Sequence, residues 1–401
     1  MDSIGINDVA HRRFDPLRGS WVLLASPHKN ERPRLGDKEA VVSCDRLKYD
    51  PECYLCPGNT RATGQRNPDY KGTFIFENDF STVRMDEGEY NIQDLGSDPL
   101  QGTSSDLLQA EPVIGRCYVL IYTADHECNV SDLTSAGVLD IIEAWTKVYA
   151  RHLSPENAIA LGVENIRRYG SCLNLAKSLR YLHIFDNNGS IVGASNPHPH
   201  GQMWITSSLP DELRREIEQM SEYRKKHCGR HLLQDYVKLE LSRQERVVWQ
   251  NQSFAVVCPW WAVWPFEVLL LPKRHVRAVV ELDEKERSHF AEAILHVTKA
   301  YNNLFRTLFP YISAVHQAPL SGTPDEIDSS HLHVHFSPPL LTPSVKKFFG
   351  GYELYGEPTR ETRPEYAAEL LRLSLNEQSA FPLNSGRGSS CRDESHRCTF
   401  L

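Results

Sequence analysis

Gly193-Ala194-Ser195-Asn196-Pro197-His198-Pro199-His200-Gly201-Gln202-Met203-Trp204 is the stretch from which the rest of the chain is best read. Two histidines alternate with two prolines, which lack an N–H and fix φ, so the segment runs extended. Residues two apart in an extended backbone face the same side, which sets His198 and His200 together. Gly201 follows at once and admits close approach to the main chain. Ser195 and Gln202 flank the pair with neutral hydrogen-bonding groups suited to an anion. Together they describe an imidazole held rigidly against something negative. His200 is the candidate nucleophile, because an imidazole is largely unprotonated near neutral pH and forms covalent intermediates.

Working outward, residues 181–185 read as a strand that enters the motif through Asp186-Asn187-Asn188-Gly189, a turn by composition. Residues 117–122 read as a buried strand ending near His126. A helix is predicted after it, capped by Ser131 or Asp132, with Leu133, Ile141, Ile142, Trp145, Val148 and Tyr149 at helical spacing. Residues 211–241 are polar and helix-prone, with Glu216 early among them. The second half repeats this order. Strands are predicted at 247–249, 255–258 and 267–272, then a helix opened by an Asp283/Glu286 capping box. A strand at 311–316 and the alternating run His331-Leu332-His333-Val334-His335-Phe336 follow. The recurrence implies an internally duplicated α+β unit. The tail from Ser385 is rich in Gly, Ser and Arg and is predicted to be disordered.

The chain has 401 residues, 40% hydrophobic and 24% charged, the balance of a soluble globular protein. Its net charge of −8 argues against nucleic acid or anionic lipid as a partner. No signal peptide or membrane-length apolar run is visible, so a reduced cytoplasmic setting is expected. Ten cysteines in so long a chain then read first as metal ligands rather than as a disulfide framework.

Cys53-x-x-Cys56 supplies two thiolates at the spacing of half a zinc site, with His126 and His198 the natural completion. His331, His333 and His335 are predicted to project from one face of a strand. With His316 and an acidic partner they suit a second nitrogen/oxygen metal site, although spacing alone does not say which of them chelate.

At this point the chain resembles the galactose-1-phosphate uridylyltransferase family of the histidine-triad superfamily, from His11 to about Leu371. The markers are His11-Arg12-Arg13-Phe14-Asp15-Pro16-Leu17, Asn67-Pro68-Asp69-Tyr70, Glu77-Asn78-Asp79-Phe80, the stretch from Ser195 to Gln202, and the run from His331 to Phe336. The resemblance implies two fused histidine-triad-like repeats forming an antiparallel half-barrel flanked by helices. They would divide as residues 1–210 and 211–380, with a tail at 381–401. It implies a homodimer with composite sites. UMP would pass from UDP-glucose to galactose 1-phosphate through a uridylyl-His200 intermediate.

By the same resemblance Cys53, Cys56, His126 and His198 hold Zn2+, while Glu216, His316, His333 and His335 hold a second metal, iron or zinc. His331 matches a position outside the ligand set. Uridine and phosphate contacts are expected from Asn78, Asp79, Asn187, Ser195 and Gln202, with Lys29 and Arg32 near the phosphates. Lys347, Tyr352 and Glu353 match hexose-contacting positions offered by a second subunit. Two positions depart from the family: Lys29 where Arg is usual, which loses a bidentate fork, and Thr359 where Gln often contacts the sugar. Gln202 steadies the intermediate without offering a base to activate water. A phosphorylase or hydrolase on another nucleotide sugar, or a metal-stabilised binding protein, are the alternatives. The terminal Cys398-Thr399-Phe400-Leu401 has the C-a-a-X form, but no polybasic run precedes it and Phe400 is not aliphatic.

Overall fold

The computed structural model describes residues 9–25, 48–85, 107–126, 128–162, 179–342 and 345–376. The tail beyond 376, Cys398 included, and the expected phosphate contacts Lys29 and Arg32 lie outside the described residues.

The strands are β1 (His11–Asp15), β2 (Ser20–Leu24), β3 (Phe74–Glu77), β4 (Gly115–Ile121), β5 (Tyr181–Asn188), β6 (His200–Thr206), β7 (Val247–Gln250), β8 (Phe254–Val257), β9 (Val268–Pro272), β10 (Tyr311–His316), β11 (His333–Ser337), β12 (Leu340–Thr342), β13 (Val345–Lys346) and β14 (Thr359–Arg360). Nine of them form one sheet in the order β3-β4-β6-β5-β10-β11-β9-β8-β7. Every neighbouring pair in it is antiparallel. From the centre outward the first half reads β5, β6, β4, β3 and the second β10, β11, β9, β8. The helix Ser135–His152 connects β4 to β5, and the helix Glu284–Phe305 connects β9 to β10. The halves meet at β5 and β10, where Ile184 pairs with Val315 and Asp186 with Ser313. A three-stranded sheet, β1-β2-β14, lies apart.

The pleat assigns the two faces. Leu182 and Ile184 of β5, Met203 and Ile205 of β6, Val315 of β10 and Val334 of β11 join one core with Ile142 and Tyr149 of the first long helix and Phe290 and Tyr301 of the second. Each such side chain, fully buried, stabilises by roughly 1.5–3 kcal/mol before chain entropy is counted. The opposite face is covered in the second half by the helices Asp211–Lys226 and Leu232–Arg243, through Leu213, Ile217, Leu233 and Val237. In the first half the Cys53–Cys56 loop covers it, against Val119 and Ile121. Alternate residues of β5 and β6 face this second side, which is where the polar chemistry collects.

Three local expectations are corrected. The first long helix is capped by Thr134, whose hydroxyl accepts from the Gly137 N–H at 3.2 Å. Ser131 and Asp132, expected to cap it, lie instead in a separate 3-10 turn, Val130–Asp132. Asp186, Asn187 and Asn188 continue β5 rather than turn, because β10 pairs with them, Tyr311 opposite Asn188. Residues 211–241 divide into two helices, broken where Cys228 and Gly229 take positive φ, 54° and 86°. The Asp283/Glu286 capping box forms as expected.

Because one sheet runs through both halves, unfolding should be a single cooperative event. Ile184→Ala, on the β5 side of the seam, should cost about 3 kcal/mol. Urea melts read by probes in the two halves should shift together. A loss confined to the first half would contradict a shared core.

Candidate active site and metal centres

His200 is the first residue of β6. Its Nδ1–H donates to the His198 carbonyl at 2.7 Å, and because that acceptor is a carbonyl, Nε2 carries the lone pair. Burial lowers the imidazole pKa below its ordinary value, against the opposing effect of that hydrogen bond. The ring is therefore neutral at neutral pH and able to attack. Gln202 lies two residues on, on the same side of the strand. Its Oε1 accepts from the Trp204 indole N–H at 3.2 Å, which turns its NH2 outward as a donor. Trp204, the next residue on that side, was not singled out from sequence as the group that sets the Gln202 amide.

Asn187 and Phe185 lie beside them on β5, with Phe185 directly opposite Gln202. Ser195 is exposed in the loop that leads into the motif. Asn78 is anchored by its N–H to the Cys117 carbonyl at 2.7 Å, and its Oδ1 accepts from the Phe80 N–H at 2.9 Å. Asp79 lies 3.4 Å from Arg61, whose guanidinium stacks over Phe76 at 4.2 Å. Arg61 was missed by sequence reasoning, since nothing in a lone arginine before a turn marks it.

Cys53, Cys56, His126 and His198 converge, with one ligand atom from each lying within 4.8 Å of the others. Cys56 Sγ is 3.5 Å from both His126 Nδ1 and His198 Nδ1, and the two nitrogens are 3.3 Å apart. A tetrahedron with metal–sulfur bonds of about 2.3 Å and metal–nitrogen bonds of about 2.05 Å has edges of roughly 3.5 and 3.3 Å, so the donors fit such an ion. His198 Nε2–H donates to the Thr123 carbonyl at 2.9 Å, which leaves Nδ1 free to ligate. Burial takes the His198 pKa down to about 4 and pushes the Cys56 thiol up to about 11. Without a cation that thiol stays protonated. The Asn196 side-chain NH2 and the Leu55 N–H both point at Cys53 Sγ, at 3.5 and 3.4 Å.

Glu216, His316, His333 and His335 form a second convergent group. Glu216 Oε2 is 2.7 Å from His316 Nδ1 and 3.4 Å from His333 Nε2, and Oε1 is 3.7 Å from His335 Nε2. Neighbouring ligands around one first-row ion, with bonds of about 2.1 Å, lie roughly 3.0–3.4 Å apart. Glu216 Oε1 and the Nε2 atoms of His333 and His335 are buried without a hydrogen-bond partner, a donor set that fits a cation. His333 Nδ1–H donates to the His331 carbonyl at 2.7 Å, which again aims Nε2 at the centre. Burial opposes ionisation of Glu216, yet His316, His333 and His335 hold its carboxyl well below the usual range. The strand was expected to project all three alternating histidines from one face. β11 begins only at His333, however, and His331 precedes it, buried, with its ring 5.3 Å from that of His275.

Lys347, Tyr352 and Glu353 gather away from this face, beside β14. Lys347 is buried and bonds to the Thr359 carbonyl and, at 3.3 Å, to Glu361. The Thr359 hydroxyl donates to Glu353 at 2.6 Å, and the Tyr352 hydroxyl to Glu357 at 3.2 Å. These contacts run among residues of one segment, and Tyr352 is 55% exposed beside Phe348 at 69% and Tyr355 at 92%.

The sequence matches the family described as galactose-1-phosphate uridyl transferase, N-terminal domain, over residues 2–210, and the corresponding C-terminal domain over residues 216–382. It is 51% identical to the galactose-1-phosphate uridylyltransferase of Neurospora crassa over 376 residues, covering 92% of this chain and 96% of that one. The Saccharomyces cerevisiae protein of the same name is 40% identical over 364 residues, covering 90% and 94%. Among solved structures, a uridylyltransferase shares the fold at a TM-score of 0.67 and 23% identity, covering 92% of this chain and 99% of that one. The ADP-glucose phosphorylase of Arabidopsis thaliana does so at 0.63 and 20%, covering 90% and 98%. With both halves matched and relatives this similar across nearly their whole length, the chain belongs to the galactose-1-phosphate uridylyltransferase family.

Proposed function

We propose that this protein transfers UMP from UDP-glucose to galactose 1-phosphate through a uridylyl-His200 intermediate, as a step of galactose metabolism. The observation that carries the proposal is the His200 Nδ1–H bond to the His198 carbonyl, which leaves a neutral Nε2 lone pair beside the Gln202 amide. In the first step Nε2 attacks the α-phosphorus of UDP-glucose. The P–O bond to glucose 1-phosphate breaks, and that phosphate leaves with the electron pair. In the second step a phosphate oxygen of galactose 1-phosphate attacks the same phosphorus, and the P–N pair returns to His200. Neither step requires a proton to be moved. Gln202 and Ser195 donate to the phosphoryl oxygens, where charge develops. Asn78, Asp79 and Asn187 serve the nucleotide, with Lys29 and Arg32 at the phosphates. The identity of the relatives, 40–51%, favours this acceptor over inorganic phosphate or water.

Zinc at Cys53, Cys56, His126 and His198 is the natural occupant, given two thiolates and two imidazoles at tetrahedral separations. Three imidazoles and a carboxylate suit iron or zinc at the second centre. Both ions pin loops and strand ends, and no step of the transfer is assigned to them. The mirrored strand order supports two fused histidine-triad-like repeats in a half-barrel, dividing near residue 210, with the tail from 381 outside them. Exposed Phe348, Tyr352 and Tyr355 support a homodimer in which Lys347, Tyr352 and Glu353 reach the hexose of a second copy's site. Among the described residues no helix is long and apolar enough to cross a membrane. We place the enzyme in the cytoplasm, without nucleic acid or membrane partners.

Holoprotein should carry two divalent ions per chain by plasma mass spectrometry. Cys56→Ser should lose one and keep the other, while Glu216→Gln does the reverse. Unchanged metal content in either variant would remove that centre from the assignment. Initial rates measured against both substrates should give parallel double-reciprocal lines, with glucose 1-phosphate release in turnover dependent on galactose 1-phosphate. Release that continues at full rate in water or phosphate alone would favour a hydrolase or phosphorylase instead.

A further inference from the structure

The strand bearing the nucleophile has a back as well as a front. A Cβ built on Gly201 would fall on the Tyr122 hydroxyl oxygen, 3.0 Å from Tyr122 Cζ and 3.3 Å from the Phe185 carbonyl oxygen. The Tyr122 N–H donates to the Pro199 carbonyl at 3.1 Å. Tyr122 therefore touches the residues on both sides of His200. Asp186 is buried on β5 between Phe185 and Asn187, whose side chains go to the opposite face. Both Tyr122 and Asp186 line a small, mostly apolar cavity behind the sheet, of about 30 Å3, with Ser313 and Tyr311.

We propose that Tyr122 is a positioning residue that clamps the His-Pro-His-Gly backbone from behind and thereby aims His200 at the transferring phosphorus. The aim of the imidazole is set by a backbone carbonyl, that of His198, so whatever fixes the backbone of residues 198–201 fixes Nε2. Reaction rates fall steeply when attacking atoms are displaced by as little as about 1 Å. This proposal rests on His200 being the nucleophile.

The test is single-turnover formation of the uridylyl-enzyme from UDP-glucose. Tyr122→Phe keeps the ring and removes the oxygen. It should slow that step about tenfold, with UDP-glucose affinity within about twofold of wild type and an unchanged melting temperature. Gly201→Ala should slow it by 100-fold or more. The double variant Gly201→Ala/Tyr122→Phe should be at least threefold faster than Gly201→Ala, because the nearest obstructing atom is gone while the ring carbon at 3.0 Å and the Phe185 carbonyl at 3.3 Å remain. A Tyr122→Phe rate equal to wild type, or a double variant no faster than Gly201→Ala, overturns the clamp. Loss of affinity in step with rate would mark Tyr122 as part of the binding surface and also overturn it. Wild type that forms no adduct in the same assay would sink the nucleophile assignment, an outcome distinct from failure of the clamp alone.

Discussion

One ladder of antiparallel hydrogen bonds, β5 to β10, governs the rest of the molecule. It joins an array of four strands to one of five, mirrored about it except for the extra β7, and makes them a single sheet. The pleat then sorts side chains without further help. Leu182, Ile184 and Val315 go to the core beneath the two long helices. His200, Gln202, His316, His333 and His335 collect on the opposite side, where the Cys53–Cys56 loop and the helix bearing Glu216 cover them. The strand-borne members of the site, His200, Gln202, His316, His333 and His335, thus share one face through this sheet's register. A slip of one residue in β6 or β11 would turn His200 and Gln202, or His333 and His335, toward the apolar core.

On that face, backbone carbonyls set the orientation of the imidazoles. The His198 carbonyl fixes His200, the His331 carbonyl fixes His333, and the Thr123 carbonyl fixes His198 itself. Each accepts one ring N–H and leaves the other nitrogen as a directed lone pair. In the proposed function the same device serves a nucleophile at His200 and metal ligands at His198 and His333, whose free nitrogens face a thiol and a carboxylate. Electrostatics follow: His198 is held neutral by burial, and Glu216 is held ionised by its imidazole neighbours despite burial.

Much of this was legible in the chain. His333-Val334-His335 can be read because strand period two maps sequence spacing onto one face, whereas His198 and His331 precede the strands that follow them. Cys-x-x-Cys can be read because thiolate spacing is local. What could not be read is long-range. Tyr122 meets Gly201 only through the β4–β6 register, and Arg61 meets Asp79 only through loop packing. Asn187 and Asn188 carry the composition of a turn, but pairing with β10 overrides that local preference. The cap of the first long helix fell on Thr134 because a 3-10 turn intervenes, and apolar periodicity does not distinguish such a turn from the helix after it.

Covalent transfer through His200 is the central claim, and the intact mass of the protein tests it most directly. Metal-replete wild type and His200→Asn would each be mixed with UDP-glucose and no acceptor. The geometry predicts an acid-labile UMP adduct on wild type alone, discharged by galactose 1-phosphate. An adduct on the variant, or none on a wild type that still turns over, would contradict it.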